Sequence, residues 1–245
     1  MKTLNKILFA TILLAINSVA FAKPITKVVN GDYKIADRSI SGFNSVIVGG
    51  PFDVIITQGE MESVKVEAPL DAMDKVITEV SFGVLNVYNK KDGRDWNNWW
   101  HDHKKIVVYV TVKELNSINI SGSGSAIFKD GISAENLKLN ISGTGDMVGN
   151  VDVKMLESVV SGSGDMKIAG KAENSKVSLK SSGDFAATKL ITSNSEVNVT
   201  GSGDAQVNST KVIDAKINGT GNVLYTGTVK RVYISQSGTG DIYRF

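Results

Sequence analysis

Ser-Gly-Ser-Gly-Asp, at residues 161–165, is one of seven copies of a motif that recurs through the second half of the chain. Successive copies lie 21, 19, 19, 20, 18 and 19 residues apart, counted on the second glycine of each. A fixed period of this length is typical of solenoid proteins, in which each repeat forms one coil. The second glycines are Gly124, Gly145, Gly164, Gly183, Gly203, Gly221 and Gly240.

Aliphatic residues alternate with polar residues just before each motif. The residue four positions before the second glycine is aliphatic in six of the seven copies, for example Ile141, Val160 and Leu179. Alternation with a period of two is typical of a strand with one buried face. Another apolar residue follows the glycine by two positions, as Met147 and Phe185 do. The motif therefore predicts a corner between two strands.

These corners predict an all-β fold, a three-sided parallel β-solenoid with coils of about 19–20 residues. At about 3.3 Å per residue, one coil has room for three short strands. Glycine suits a corner because it adopts positive φ without a Cβ clash, and Asp, Asn, Ser and Thr bond turn amides. Besides the seven glycines, the predicted structural turn residues are Asp146, Asp165, Asp184, Asp204 and Asp241.

The first 22 residues differ in composition from the rest of the chain. Lys2 and Lys6 precede an apolar run, and Ala20-Phe21-Ala22 provides small residues at a cleavage site, as in a secretory signal peptide. A membrane anchor is the alternative, although the run is shorter than the ~20 residues of a span. We expect a signal peptide at 1–22, a lead-in at 23–40, one solenoid domain at 41–245, and no transmembrane segment after cleavage.

Composition excludes several classes of function. The chain has no cysteine, which excludes disulfides, thiolate metal sites and cysteine nucleophiles. It has 27 basic and 25 acidic residues, and the predicted signal peptide holds two of the basic ones and no acid. The remainder is therefore formally neutral. Because nucleic-acid binding needs a concentrated basic face, we expect no nucleic-acid partner.

Several stretches together resemble the bacterial putative auto-transporter adhesin "head GIN" domain. They are Gly42-Phe43 before a Val-Ile-Val strand, Phe52-Asp53-Val54-Ile55-Ile56-Thr57-Gln58-Gly59, Val84-Leu85-Asn86-Val87, and the Ser-Gly-Ser-Gly corners. The resemblance covers roughly residues 40–245. It implies a right-handed β-helix related in shape to pectate lyases, export to the periplasm, the outer surface or the medium, and an adhesin-like role. It supplies no catalytic residue.

One loop concentrates the unusual side chains of the protein. All three tryptophans and both histidines lie within eight residues: Trp96, Trp99, Trp100, His101 and His103. Exposed tryptophans stack on sugar rings or bind proteins, so these residues form a predicted ligand-binding patch for a glycan or protein. The alternative is a cap that covers a strand edge. The two histidines alone are too few ligands for a tight metal site, and we predict none.

The recurring aspartates have two interpretations. A calcium ladder would require Gly and Asp at nine-residue spacing, whereas here one Asp recurs per coil, which favours turn chemistry. A polysaccharide lyase would need a base and carboxylates that hold a cation, and the repeats contain no such constellation. We therefore predict no catalytic residue and no cofactor. The leading hypothesis is an exported, adhesin-like binding module, and the alternatives are a pectate-lyase-like enzyme and a purely structural envelope protein.

Overall fold

The structure, a computed structural model, describes residues 26–29, 33–90 and 105–245. Apart from a 3-10 turn at Met73–Lys75, its regular elements are strands. In the first half they are β1 Thr26–Val29, β2 Tyr33–Arg38, β3 Ser45–Gly49, β4 Asp53–Gln58, β5 Ser63–Pro69, β6 Val76–Ser81, β7 Val84–Asn89, β8 Val107–Val112 and β9 Ser117–Ile120. In the second half they are β10 Ala126–Ile141, β11 Met147–Val160, β12 Met166–Leu179, β13 Phe185–Val199, β14 Ala205–Ile217, β15 Val223–Thr226, β16 Arg231–Gln236 and β17 Ile242–Arg244.

The long strands β10 to β14 stack in parallel, one coil on the next. Each bends, so that β10 pairs with β11 in three segments, 126–128, 132–134 and 136–141. These segments form the three sides of a coil, and the glycine motif lies between the third segment of one coil and the first of the next. The structure thus confirms the predicted all-β, three-sided parallel solenoid.

Aliphatic and aromatic side chains fill the interior in columns. Ile141, Val160 and Leu179 are each 0% exposed, and so are Met147 and Phe185 on the first side of their coils. Because neighbouring coils pair in register, each of these side chains lies on its equivalent in the next coil. The apolar side chains on both sides of the motif therefore point inward, as predicted.

The first rungs of the solenoid are not stacked in chain order. Strand β3 lies between β7 and β9, and β4 lies between β8 and β10, all in parallel. Strands β7 and β8 therefore form the first rung, although they follow β3 and β4, which form the second rung, along the chain. Strand β9 and the first segment of β10 belong to the third rung. Only from β9 onward does each coil follow its predecessor.

Antiparallel strands cover this first rung. Strand β6 pairs with β7 through a turn at Phe82 and Gly83, both with positive φ, and β5 pairs with β8. On its other edge β5 pairs with β2, which in turn pairs with β1. The segment 23–40, expected to be a lead-in, therefore contributes two strands to this antiparallel cover.

Candidate binding surface

The corner glycines are required for a different reason from the one we predicted. None of them is among the described glycines with positive φ. Instead, a Cβ on Gly164 would lie 2.0 Å from the carbonyl oxygen of Gly145 in the preceding coil, and one on Gly145 would lie 1.8 Å from that of Gly124. The expectation of left-handed glycines is therefore wrong. Adjacent coils approach so closely at the corner that no side chain fits between them.

The aspartates after these glycines connect one coil to the next. The Oδ1 atom of Asp146 accepts a hydrogen bond from the backbone N–H of Asp165 at 2.9 Å, and Asp165 accepts one from Asp184 at 3.0 Å. The series continues through Asp204 and Asn222. The sequence predicts bonds to amides of the same turn, whereas the amide belongs to the following coil. The side chains thus form a continuous ladder, which we call the aspartate column.

A row of outward-pointing apolar side chains, the apolar column, occupies the earlier coils and meets the aspartate column at the coil of Asp146 and Val148. Its members are Tyr109, Ile55, Ile127 and Val148, on the strands β8, β4, β10 and β11. Each is the register neighbour of the next, so the row runs along the solenoid axis with about 4.8 Å between strands. Ile55, Ile127 and Val148 are half-buried, and Tyr109 is 36% exposed. Lys167 on β12 ends the row.

The apolar column and the polar residues two positions before its members define one surface, the front face, because side chains two residues apart point to the same side of a sheet. Asp53 lies two residues before Ile55, and Asp146 two before Val148. The front face therefore presents apolar groups flanked by polar side chains, of which Asp53 is bonded to Lys105 and to the Ser125 amide, and Asp146 to the Asp165 amide. Such a surface suits ligands that have both apolar faces and hydroxyl or amide groups, such as sugars and peptides.

Ion pairs and hydrogen bonds fix the first rungs of the front face. The Tyr109 hydroxyl donates to Glu67 Oε2 at 2.7 Å. This bond, with burial and the carboxylate charge, raises the pKa of Tyr109. Lys105 Nζ lies 2.8 Å from Asp53 Oδ2, and the bond to Asp53, with its negative charge, raises the pKa of Lys105. Tyr109 is thus partly exposed, with its hydroxyl bonded to Glu67.

The predicted ligand-binding residues Trp96, Trp99, Trp100, His101 and His103 lie outside the described residues. The chain on either side of them is described: the amide of Lys90 donates to the Lys75 carbonyl at 2.8 Å, and Lys105 forms the ion pair with Asp53. The segment that carries the tryptophans therefore joins β7 to β8 and reaches β8 at the edge of the front face. Whether it binds a ligand or covers an edge stays a prediction.

Sequence reasoning missed the apolar column itself. The signal that could have revealed it is the interruption of alternation: Val54-Ile55-Ile56 and Ala126-Ile127-Phe128 are uninterrupted apolar triplets. The outer residues of each triplet are buried, and the middle one points outward.

In 33–90 and 105–245, no three His, Asp or Glu side chains converge as a metal site, and no helix is long and apolar enough to cross a bilayer.

Stacked parallel coils with a side-chain-filled interior define the protein as a β-solenoid protein. The family comparison is more specific. The chain belongs to the family described as putative auto-transporter adhesin, head GIN domain, whose model matches residues 42–229. The resemblance read from the sequence is thereby confirmed.

Solved structures share the fold over almost their whole length. A putative adhesin from Bacteroides fragilis is 23% identical with a TM-score of 0.81, over 88% of this chain and 98% of its own. A putative lipid binding protein from Parabacteroides distasonis is 23% identical with a TM-score of 0.68 over the same shares. A putative adhesin from the same species is 25% identical with a TM-score of 0.67, over 87% and 98%. The first two similarities establish the fold alone. No curated protein gives a significant match.

Proposed function

We propose that the protein is an exported, adhesin-like, non-catalytic binding module of the bacterial cell envelope, and that its front face contacts a glycan or a protein. The observation that carries this proposal is the apolar column, which places Tyr109, Ile55, Ile127 and Val148 in an unbroken outward row. Outward positions of a solvated sheet are usually polar, so a contiguous apolar row marks an interaction surface.

The shape of the surface favours binding over catalysis. The front face is a flat sheet, and enzymes generally enclose the reacting atoms in a cleft that excludes water. The family description and two of the similar structures also carry the word adhesin. Export rests on the signal-peptide pattern of residues 1–22, which is typical of surface and periplasmic proteins.

We also propose that the tryptophan segment contributes to this surface. Residues 91–104 end next to Lys105, whose Nζ is paired with Asp53 at the first rungs of the front face. Trp96, Trp99 and Trp100 are large aromatic groups of the kind that stack on sugar rings or bind proteins.

The test is a glycan array and a pull-down from envelope extracts with three variants. Trp96/Trp99/Trp100→Ala removes the aromatic groups, Ile127→Lys interrupts the apolar column, and Val159→Lys is the matched control. Val159 is also a half-buried, outward aliphatic residue, but it lies on the third side of its coil. We expect both test variants to lose binding and the control to keep it, with unchanged circular dichroism. Binding that survives in both test variants contradicts the proposal, as does polysaccharide turnover that depends on one carboxylate.

A further inference from the structure

The two ends of the solenoid interior differ. At the first rung, the antiparallel strand β5 covers the interior, and its inward residues Val64, Val66 and Ala68 are 1%, 0% and 0% exposed. At the last rung, formed by β16 and β17, nothing described lies over the interior columns. Val232 and Ile234 continue the columns of Ile213 and Ala215. They are 38% and 54% exposed, whereas their column neighbours are fully buried.

The backbone of this last rung is also open. Among the described residues, β16 pairs only with β14, and β17 pairs only with β15. The opposite edge of each strand therefore presents N–H and C=O groups without a strand partner. An exposed apolar edge of this kind is a template for pairing with another chain, and proteins usually block it with charges, proline or a covering element. Of the inward side chains on β16, Val232 and Ile234 are apolar and Gln236 is uncharged.

We propose that this open end, formed by β16 and β17, binds a second copy of the chain, end to end, in a two-fold symmetric dimer. In this dimer β16 pairs antiparallel with the same strand of the second copy, and Val232 and Ile234 become buried at the joint. The proposal concerns a different part of the molecule from the front face and does not depend on the proposed function.

The difference between the two ends of the solenoid favours a two-fold dimer over a head-to-tail stack. A head-to-tail stack would place β16 against β6 of another copy, which lies over β7 and pairs with no other described strand, but β6 presents no exposed apolar row, since Val76 is 2% exposed and Val80 is half-buried. The apolar surface at β16 would then meet a covered interior. Its complement within the same protein is a second open end, and two like surfaces meet around a two-fold axis. Such an assembly closes at two copies.

The charges at the open end tolerate this pairing. Arg231 begins β16, and Gln236 ends it. Antiparallel overlap of two such strands sets the two Arg231 side chains at opposite ends, about 17 Å apart at ~3.4 Å per residue. That separation exceeds the screening length of about 8 Å at physiological salt, so their mutual repulsion is weak. On β17, Tyr243 continues the outward column of Leu224 and stays outside the joint, and the guanidinium of Arg244 donates a hydrogen bond to the Gly227 carbonyl at 2.8 Å.

Analytical ultracentrifugation and light scattering over a wide range of protein concentration test the proposal. We expect the wild-type protein to form a dimer and Ile234→Lys to weaken it by at least ~30-fold, the loss typical of a central contact residue. Ser235→Lys is the matched control, because it adds the same charge to the next position of β16. Ser235 continues the outward column of Lys216, so its side chain stays outside the joint and the dimer should persist.

Three results would overturn the proposal. They are a wild-type protein that is monomeric at every concentration, an Ile234→Lys variant that dimerises as strongly as wild type, and a mass that grows without limit as concentration rises. Equal loss of dimer in both lysine variants would also count against it, since the effect would then be one of net charge. Because Ile234 is already 54% exposed in one copy, we expect Ile234→Lys to fold, and Val232→Lys serves as a second variant with the same expected outcome.

Discussion

Gly164→Ala tests whether close approach of coils, and not backbone conformation, requires glycine at the corners. An alanine Cβ at this position would lie 2.0 Å from the Gly145 carbonyl oxygen and 2.8 Å from its carbonyl carbon. Both contacts are to backbone, so no side chain can rotate away. The coils must therefore separate locally by more than about 1 Å to reach an ordinary contact distance of about 3.4 Å.

The cost follows from the bonds that cross the corner. The Ser163 amide donates to the Gly143 carbonyl at 3.1 Å, and a separation larger by 1 Å exceeds hydrogen-bonding distance. Loss of one or two such bonds costs about 1–2 kcal/mol, and overpacking adds about 1–3 kcal/mol. We expect a destabilisation of about 2–5 kcal/mol, which lowers the melting temperature by roughly 5–20 °C for a chain of this size.

Thermal unfolding followed by far-UV circular dichroism measures this effect. Ser163→Ala is the control, because Ser163 lies in the same corner with its side chain exposed, and such changes usually stay within about 0.5 kcal/mol. If Gly164→Ala melts within about 2 °C of the wild-type protein, the coils can accommodate a Cβ, and the steric explanation is wrong. A large loss in the control would instead implicate the serine.

Three further predictions address other features. Asp184→Ala should lower the free energy of unfolding by about 1 kcal/mol by removing the acceptor for the Asp204 amide of the next coil, whereas Asp184→Asn should be nearly neutral, since Asn222 fills this role naturally. Equal melting temperatures for Asp184→Ala and the wild-type protein would contradict this. Phe82→Asn should stabilise the protein by about 1 kcal/mol, because Phe82 has φ 51°, a conformation that asparagine tolerates better. Phe82→Ala is the control and should give no such gain, since alanine keeps the Cβ that makes this conformation unfavourable. An unchanged melting temperature for Phe82→Asn would refute the argument. Glu67→Gln should lower the pKa of Tyr109 toward its ordinary value, because the bond to the Glu67 carboxylate is the largest cause of the raised pKa. Ultraviolet titration of tyrosinate measures the pKa, and an unchanged titration curve would contradict the prediction.

Local patterns were sufficient to predict the repeating coils. Each coil pairs with its sequence neighbour, so the period of the motif and the alternation around it determine the register. The buried columns that contain Ile141 and Phe185 follow directly from that register. The family resemblance was also readable, because the strand from Val84 and the motif from Phe52 keep their order along the chain.

Features that depend on neighbours distant in sequence could not be predicted. Nothing near Ser45 indicates that β3 pairs with both β7 and β9. The apolar column has the same limitation, since Tyr109 and Ile55 become neighbours only through pairing across more than fifty residues of chain. The steric role of the corner glycines could not be predicted, because a sequence shows which residue lacks a Cβ but does not show which backbone of the next coil lies against it.

The inverted order of the first rungs has a consequence for how the chain acquires its structure. Strands β3 and β4 find partners on both edges only after β7 to β10 have been synthesised, so the opening segment has no complete sheet to join as it leaves the ribosome. Once β3 and β4 have paired with β7 to β10, each later coil needs only the preceding coil to pair with, and the solenoid extends one coil at a time. Deletion of one coil after β10 should therefore shorten the solenoid by one coil, whereas deletion of β7 or β8 would leave one edge of β3 or β4 without its partner strand.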